Sequence, residues 1–253
     1  MIAALLMGRK GSTGLPGKNT MPLLGRPLAA YPFLAARHAA SVDRVYITTD
    51  DPALMDIGRA HGARIIKRPA HLCTKEALGE HVYQHGLSVV RADAAKDGLE
   101  VEQLALLMCN AATVLAAQID EAAALLRADA TLDSVVTVSC LNMWSPLRAR
   151  RLTPEGVLVP FVPFETFGDP ATLNCDRDSQ GDVWFADMGL SMIRPVNLDR
   201  LEEGLLPQKW MGRRIAPLKQ WGGCDIDYLW QVPGVEYWLK EHGFSEMETP
   251  YGR

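Results

Sequence analysis

Residues 8–19, GRKGSTGLPGKN, bring four glycines and three cations, Arg9, Lys10 and Lys18, into one short stretch. Glycines let backbone N–H groups close around phosphate oxygens. Arginine adds a forked donor for such oxygens and lysine a mobile point charge. The spacing excludes two familiar phosphate loops. In a G-x-x-x-x-G-K-[ST] loop Ser12 would have to be glycine and Asn19 a hydroxyl residue, and the run Gly8, Gly11, Gly14 is not G-x-G-x-x-G. Composition leaves two readings, a phosphate cradle or a plain strand-to-helix connection, and the three cations favour the first. Far down the chain, Asp225 and Asp227 stand two apart. On a strand they would face the same side. Two adjacent carboxylates repel unless a cation lies between them, and magnesium takes one or two carboxylates plus substrate phosphates. The other reading, a pair of exposed acids at a strand end, weighs equally on the residues alone.

The elements that must position these residues follow from the hydrophobic pattern. Short apolar runs at 2–7, 44–49, 63–67, 103–109 and 134–140 read as strands. Between them, 27–39, 51–61, 76–91 and 116–127 read as helices, the second opened by Asp51 as N-cap and Pro52 at its first position. This alternation predicts an α/β fold, a mostly parallel sheet with helices on both faces, as a single domain over 1–253. Such sheets bind ligands beyond the carboxyl ends of their strands, where the glycine loop falls. From 141 to 182 the period is lost among prolines and aromatics such as Trp144, Phe161, Phe164 and Phe167. An irregular insertion packed on another subunit fits that content better than a disordered linker. Regular pattern returns as strands at 183–186 and 190–193 and a helix near 198–203.

The formal net charge of -4 argues against a broad nucleic-acid surface. Five cysteines, none in C-x-x-C spacing, read as reduced thiols. The apolar opening run is too short to span a bilayer, so no membrane association and a cytoplasmic location are expected. His81 and His85 have helical i, i+4 spacing, but Val82 stands where a zincin carries glutamate, and they read as half-exposed helix residues. The tryptophans at 184, 210, 221, 230 and 238 read as packing residues.

The glycine loop, Arg9-x-Gly11-Ser12-x-Gly14-Leu15-Pro16-x-Lys18-Asn19, resembles the signature loop of the acylneuraminate cytidylyltransferases, and in part that of the related KDO cytidylyltransferases. Further similarities run in order: Gly25-Arg26-Pro27-Leu28, Thr48-Thr49-Asp50-Asp51, Arg68-Pro69 with Leu72, and Asp225-Ile226-Asp227. The resemblance implies a Rossmann-like nucleotide-diphospho-sugar transferase fold and a homodimer formed through an insertion. It implies that Arg9, Gly11, Ser12 and Lys18 hold the phosphates of CTP with Asn19 nearby, that Arg68 helps to seat the nucleotide, and that Asp225 and Asp227 bind Mg2+.

Departures from the family bear on the acceptor. Where the family reads Q-x-T-S-P, this chain has Asn110-Ala111-Ala112-Thr113-Val114, keeping an amide at Asn110 in a reshaped stretch. Asp187 replaces part of an N-G-A segment and is a candidate for an acceptor hydroxyl or amine. Arg148, in Ser145-Pro146-Leu147-Arg148, is a candidate for the acceptor carboxylate or a surface arginine. Where the family often has a further acid after D-I-D, this chain has Gln231. The expected activity is transfer of CMP from CTP to a small acidic acceptor, a sialic acid-like 2-keto sugar acid, with pyrophosphate leaving. The competing readings are a non-sugar acceptor such as a phosphonate, and a nucleotide-binding relative that lost the chemistry.

Overall fold

A computed structural model describes residues 1–11, 14–177 and 181–252. In chain order the elements are β1 (Ile2–Met7), β2 (Pro22–Leu23), β3 (Arg26–Pro27), α1 (Ala30–His38), β4 (Arg44–Thr49), α2 (Pro52–Ala60), β5 (Arg64–Lys67) and α3 (Gly79–Ala95). Then come β6 (Gln103–Met108), α4 (Ala116–Ala128), β7 (Ser134–Cys140), β8 (Arg150–Leu152), β9 (Leu158–Pro160), β10 (Trp184–Ile193), α5 (Val196–Asp199), β11 (Ile215–Gln220) and α6 (Val232–Glu241). A seven-stranded sheet runs in the order β11-β7-β10-β6-β1-β4-β5. The pairs β1–β4, β1–β6, β4–β5 and β7–β11 are parallel, and only β10 pairs antiparallel with its neighbours β6 and β7. The mostly parallel α/β architecture read from the sequence is the one observed.

Alternation along β1 shows how the sheet divides two cores. Ile2, Ala4 and Leu6 join Phe33 of α1, Leu54 of α2 and Ile119 and Ala123 of α4 on one face. Ala3 and Leu5 join Tyr83, Leu87 and Val90 of α3 and Leu198 of α5 on the other. A strand with both faces covered is apolar throughout, as in IAALLM. A third cluster lies beyond one end of the sheet, where Ile226 packs with Tyr31, Val235, Trp238 and Leu239. That cluster fixes α6 and the segment before it relative to the glycine loop.

Several expectations change. The strands expected at 183–186 and 190–193 are the two halves of β10, joined across a register shift between Ala186 and Ser191. Asp225 and Asp227 lie on no strand: β11 ends at Gln220, Gly222 turns the chain at φ 63°, and the pair sits in the following loop. The insertion is less irregular than expected. Its β8–β9 hairpin is regular, and Trp144, Leu152, Leu158 and Phe161 project large apolar surface outward. Trp210 and Trp238 are buried as expected, whereas Trp230 is exposed and stacks on Tyr228.

Candidate active site

The carboxyl ends of β1, β4 and β6 converge on one place, and the contacts there explain why the first loop needs glycine. A Cβ on Gly8 would lie 2.6 Å from Leu54 Cδ1 and 2.8 Å from Cys109 Sγ, so the chain leaves β1 only without a side chain. Arg68 donates from Nη2 to Gly8 O at 2.9 Å and to Thr48 O at 2.7 Å, tying together the ends of β1 and β4. Lys10 N donates to Asp50 Oδ1 at 2.9 Å, and Arg9 Nη1 to Gly11 O at 3.0 Å. Gly17 takes a left-handed conformation at φ 74° and brings Lys18 back toward the sheet. Cys109 is inert here, since burial pushes its thiol up to about 12.

The acid pair reaches the same place from the other end of the chain. Lys18 Nζ is ion-paired with Asp227 Oδ1, so the glycine loop and the acid loop touch. Gly14 packs against the same loop, leaving a Cβ there only 3.1 Å from Asp227 O. Asn110, just past β6, donates from Nδ2 to Asp225 Oδ2 at 3.0 Å and to Ile226 O at 3.2 Å, while Ile226 N donates to Asn110 O at 2.9 Å. Burial, and next the charge of Asp227, push the Asp225 carboxyl above its ordinary range, opposed by Asn110 and Lys18.

Between these loops lies a cavity of about 610 Å³. Of the residues expected from sequence, it brings together Arg9, Lys18, Asn19, Arg68, Asn110 and Asp227, with Asp225 held against Asn110. Asn19 is buried, and its Oδ1 has no hydrogen-bond partner among the described residues. Gly11 is exposed at φ 75° on the outer part of the loop, and Ser12 lies outside the described residues. Thr74, Glu80, Gln208 and Tyr228 also line the cavity and were not singled out from sequence, as does Trp210, read there as a packing residue. Only Tyr228, next to the acid pair, had a positional signal; the others arrive through long-range packing.

The two acceptor candidates are placed elsewhere. Asp187 sits in the bulge of β10, 5% exposed, and does not line the cavity. Its carboxylate accepts from Thr137 Oγ1 at 2.6 Å, Ser139 Oγ at 3.0 Å, Gln220 Nε2 at 2.8 Å and Gly189 N at 3.1 Å. Four donors on two oxygens make it a structural acceptor. A Cβ on Gly223 would fall 2.3 Å from its Oδ2, so this buried acid also dictates the turn that leads into the acid loop. Arg148 lies in the insertion, where Nη2 donates to Cys175 O at 2.6 Å beside a separate cavity lined by Arg150 and Phe164. The Asn110–Val114 departure packs beneath the acid loop: Thr113 Oγ1 accepts from Cys224 N at 3.1 Å, and of these five residues only Asn110 lines the main cavity.

A family model described as cytidylyltransferase matches the chain over β1, the glycine loop, β4 and Arg68. Residues 3–104 match the cytidylyltransferase family. The N-acylneuraminate cytidylyltransferase of Escherichia coli O18:K1:H7 is 35% identical over 88 residues, covering 35% of this chain and 21% of that protein. The 3-deoxy-manno-octulosonate cytidylyltransferase of Verminephrobacter eiseniae is 36% identical over 85 residues, covering 33% of this chain and 31% of that protein. The chain thus matches less than a third of the length of either relative. A solved CMP:2-keto-3-deoxy-manno-octonic acid synthetase, complexed with CTP, superposes with a TM-score of 0.65 over 95% of this chain and 98% of its own. At 14% identity that likeness establishes a shared fold with a cytidylyltransferase. Among the described residues no helix is long and apolar enough to cross a membrane.

Proposed function

We propose that this chain transfers CMP from CTP to a small acidic acceptor of the 2-keto sugar acid class, releasing pyrophosphate. The observation that carries the reading is the contact of Lys18 with Asp227, which brings a cationic glycine loop and the loop of the acid pair together at one cavity that Asp227 lines. The acceptor hydroxyl attacks the α-phosphorus and gives up its proton to water; a new P–O bond forms, the bridge to the β-phosphate breaks and pyrophosphate leaves. Arg9 and Lys18 hold the phosphates that depart, where charge increases as that bridge breaks. Asn110 and Arg68 act from the wall, the first by orienting Asp225 and the second by fixing the strand ends from which the glycine loop springs.

The acid pair fits magnesium. Asp225 is half-buried beside a second carboxylate, an arrangement that a divalent cation relieves. Among the described residues no group of three or more His, Cys, Asp or Glu is placed to hold a metal. Asp225 and Asp227 would therefore hold it jointly with phosphate oxygens, the usual manner for this ion. Bound there, magnesium supplies positive charge to the phosphates.

The test is pyrophosphate release, paired with thermal shift, across nucleotides and acceptors. CTP is expected to stabilise the protein by about 2.7 kcal/mol over the unliganded state at a hundredfold excess over its dissociation constant, and UTP, ATP or GTP at the same concentration by less. Turnover is expected with 2-keto sugar acids. An equal shift with a purine triphosphate would remove the cytidylyl reading, and turnover confined to phosphonates would move the acceptor class.

The exposed Trp144, Leu152, Leu158 and Phe161 of the insertion support a homodimer paired through this segment. Sedimentation is expected to show a dimer at micromolar concentration; a monomer there would refute the pairing.

A further inference from the structure

Asp225 and Asp227 belong to one loop, yet they are anchored from different elements. Asp225 is held through its carboxylate by Asn110, at the end of β6. Asp227 meets Lys18 through its carboxylate and is tied to α6 through its backbone. Gln231 Oε1 accepts from Asp227 N at 2.7 Å and from Tyr228 N at 2.8 Å, so one oxygen gathers two successive N–H groups. Gln231 stands at the base of α6, which is fixed by Val235, Trp238 and Leu239 in the same cluster as Ile226. The side chain of Gln231 is therefore a strut from a packed helix to the peptide that sets the direction in which the Asp227 side chain leaves the chain.

We propose that Gln231 is a positioning residue of the metal site: it fixes Asp227 relative to Asp225. The inference rests on the assignment of magnesium to the acid pair. Without the strut, Asp227 would keep its contact with Lys18 but lose its tie to α6, and its separation from Asp225, still held by Asn110, would no longer be set by the packed helix. It also accounts for an amide where the resembled family often has an acid. The slot requires an acceptor for two N–H groups, which glutamine provides without a third negative charge beside Asp225 and Asp227.

The test titrates Mn2+ into the purified protein saturated with CTP by calorimetry, against a blank of CTP alone, with melting temperature and circular dichroism as controls. Asp225→Asn identifies the site, since it should remove the binding seen in the parent. Gln231→Met keeps length and removes the acceptor; it is expected to weaken Mn2+ binding about tenfold or more, the usual range for groups that orient metal ligands. Gln231→Glu keeps the acceptor and is expected to bind Mn2+ at least as tightly as the parent. A folded Gln231→Met protein that binds Mn2+ like the parent overturns the inference and leaves the metal assignment standing. If Gln231→Met fails to fold, Gln231→Glu decides, and binding about tenfold weaker than the parent overturns the inference. No binding by the parent removes the metal assignment, and the inference with it.

Discussion

Asp187→Ala is expected to lower the melting temperature by roughly 6–12 °C, corresponding to about 3 kcal/mol in a chain of this size. The substitution removes the buried carboxylate on which the hydroxyls of Thr137 and Ser139, the amide of Gln220 and the N–H of Gly189 converge. Thr137 keeps Leu190 O at 3.3 Å and Gln220 keeps Thr113 O at 3.2 Å, so Ser139 Oγ and Gly189 N are the donors left without an acceptor, each losing its desolvation energy with no return. Asp187→Asn should fall between Ala and the parent, because one oxygen remains to accept. The experiment also separates two roles. If Asp187 met the acceptor, Asn would raise KM and leave the melting temperature alone. A melting temperature within about 2 °C of the parent for Asp187→Ala, less than 1 kcal/mol, would refute the structural role.

Lys18→Ala is expected to lower kcat/KM about a hundredfold, equivalent to about 2.7 kcal/mol of transition-state stabilisation, while the folded spectrum stays unchanged. Two features separate function from stability here. The Lys18 side chain is only 12% exposed and faces the cavity, whereas its partner Asp227 is 52% exposed. An ion pair with one partner so open to solvent contributes at most about 1 kcal/mol to folding. Its loss cannot by itself account for a large fall in rate. What disappears is the point charge nearest both the glycine loop and the acid pair. Near-parental kcat/KM would reduce the loop to a connection between β1 and the residues that follow.

Much of this arrangement was legible in the sequence because the sheet is covered on both faces. A run such as IAALLM is then apolar throughout, and its boundaries stand out against polar loops. The glycine loop was legible because its composition is itself chemical. The first turn of α3 was less so: helix is expected from 76, but Leu78 is extended at ψ 141° and the helix begins at Gly79. The bulge in β10 hid a continuous strand, since Asp187, Met188 and Gly189 interrupt the apolar run exactly where the register shifts. The Asp187 network was invisible for a different reason. Its four donors come from positions 137, 139, 189 and 220, and no local pattern joins them. The β8–β9 hairpin escaped because all three residues of β8 are exposed, so no face imposes a period on it.

The position of β10 has a consequence for the order in which the molecule can assemble. The strands β5, β4, β1 and β6 complete all their mutual pairings within the first 108 residues. The outer edge of β6, however, pairs with β10 and not with β7, although β7 follows sooner in the chain. During synthesis at about 5–20 residues per second, roughly 85 residues separate the end of β6 from the end of β10, an interval of roughly 4–17 s. For that interval β6 presents an open edge while β7 waits without its inner partner, the condition in which strands recruit the wrong neighbour. The helix α4 can already cover the face of the unfinished sheet through Ile119, Ala122 and Ala123, but it cannot satisfy the edge. The last strand into the middle of the sheet is thus also the one that carries Asp187 and orders the turn leading to the acid pair.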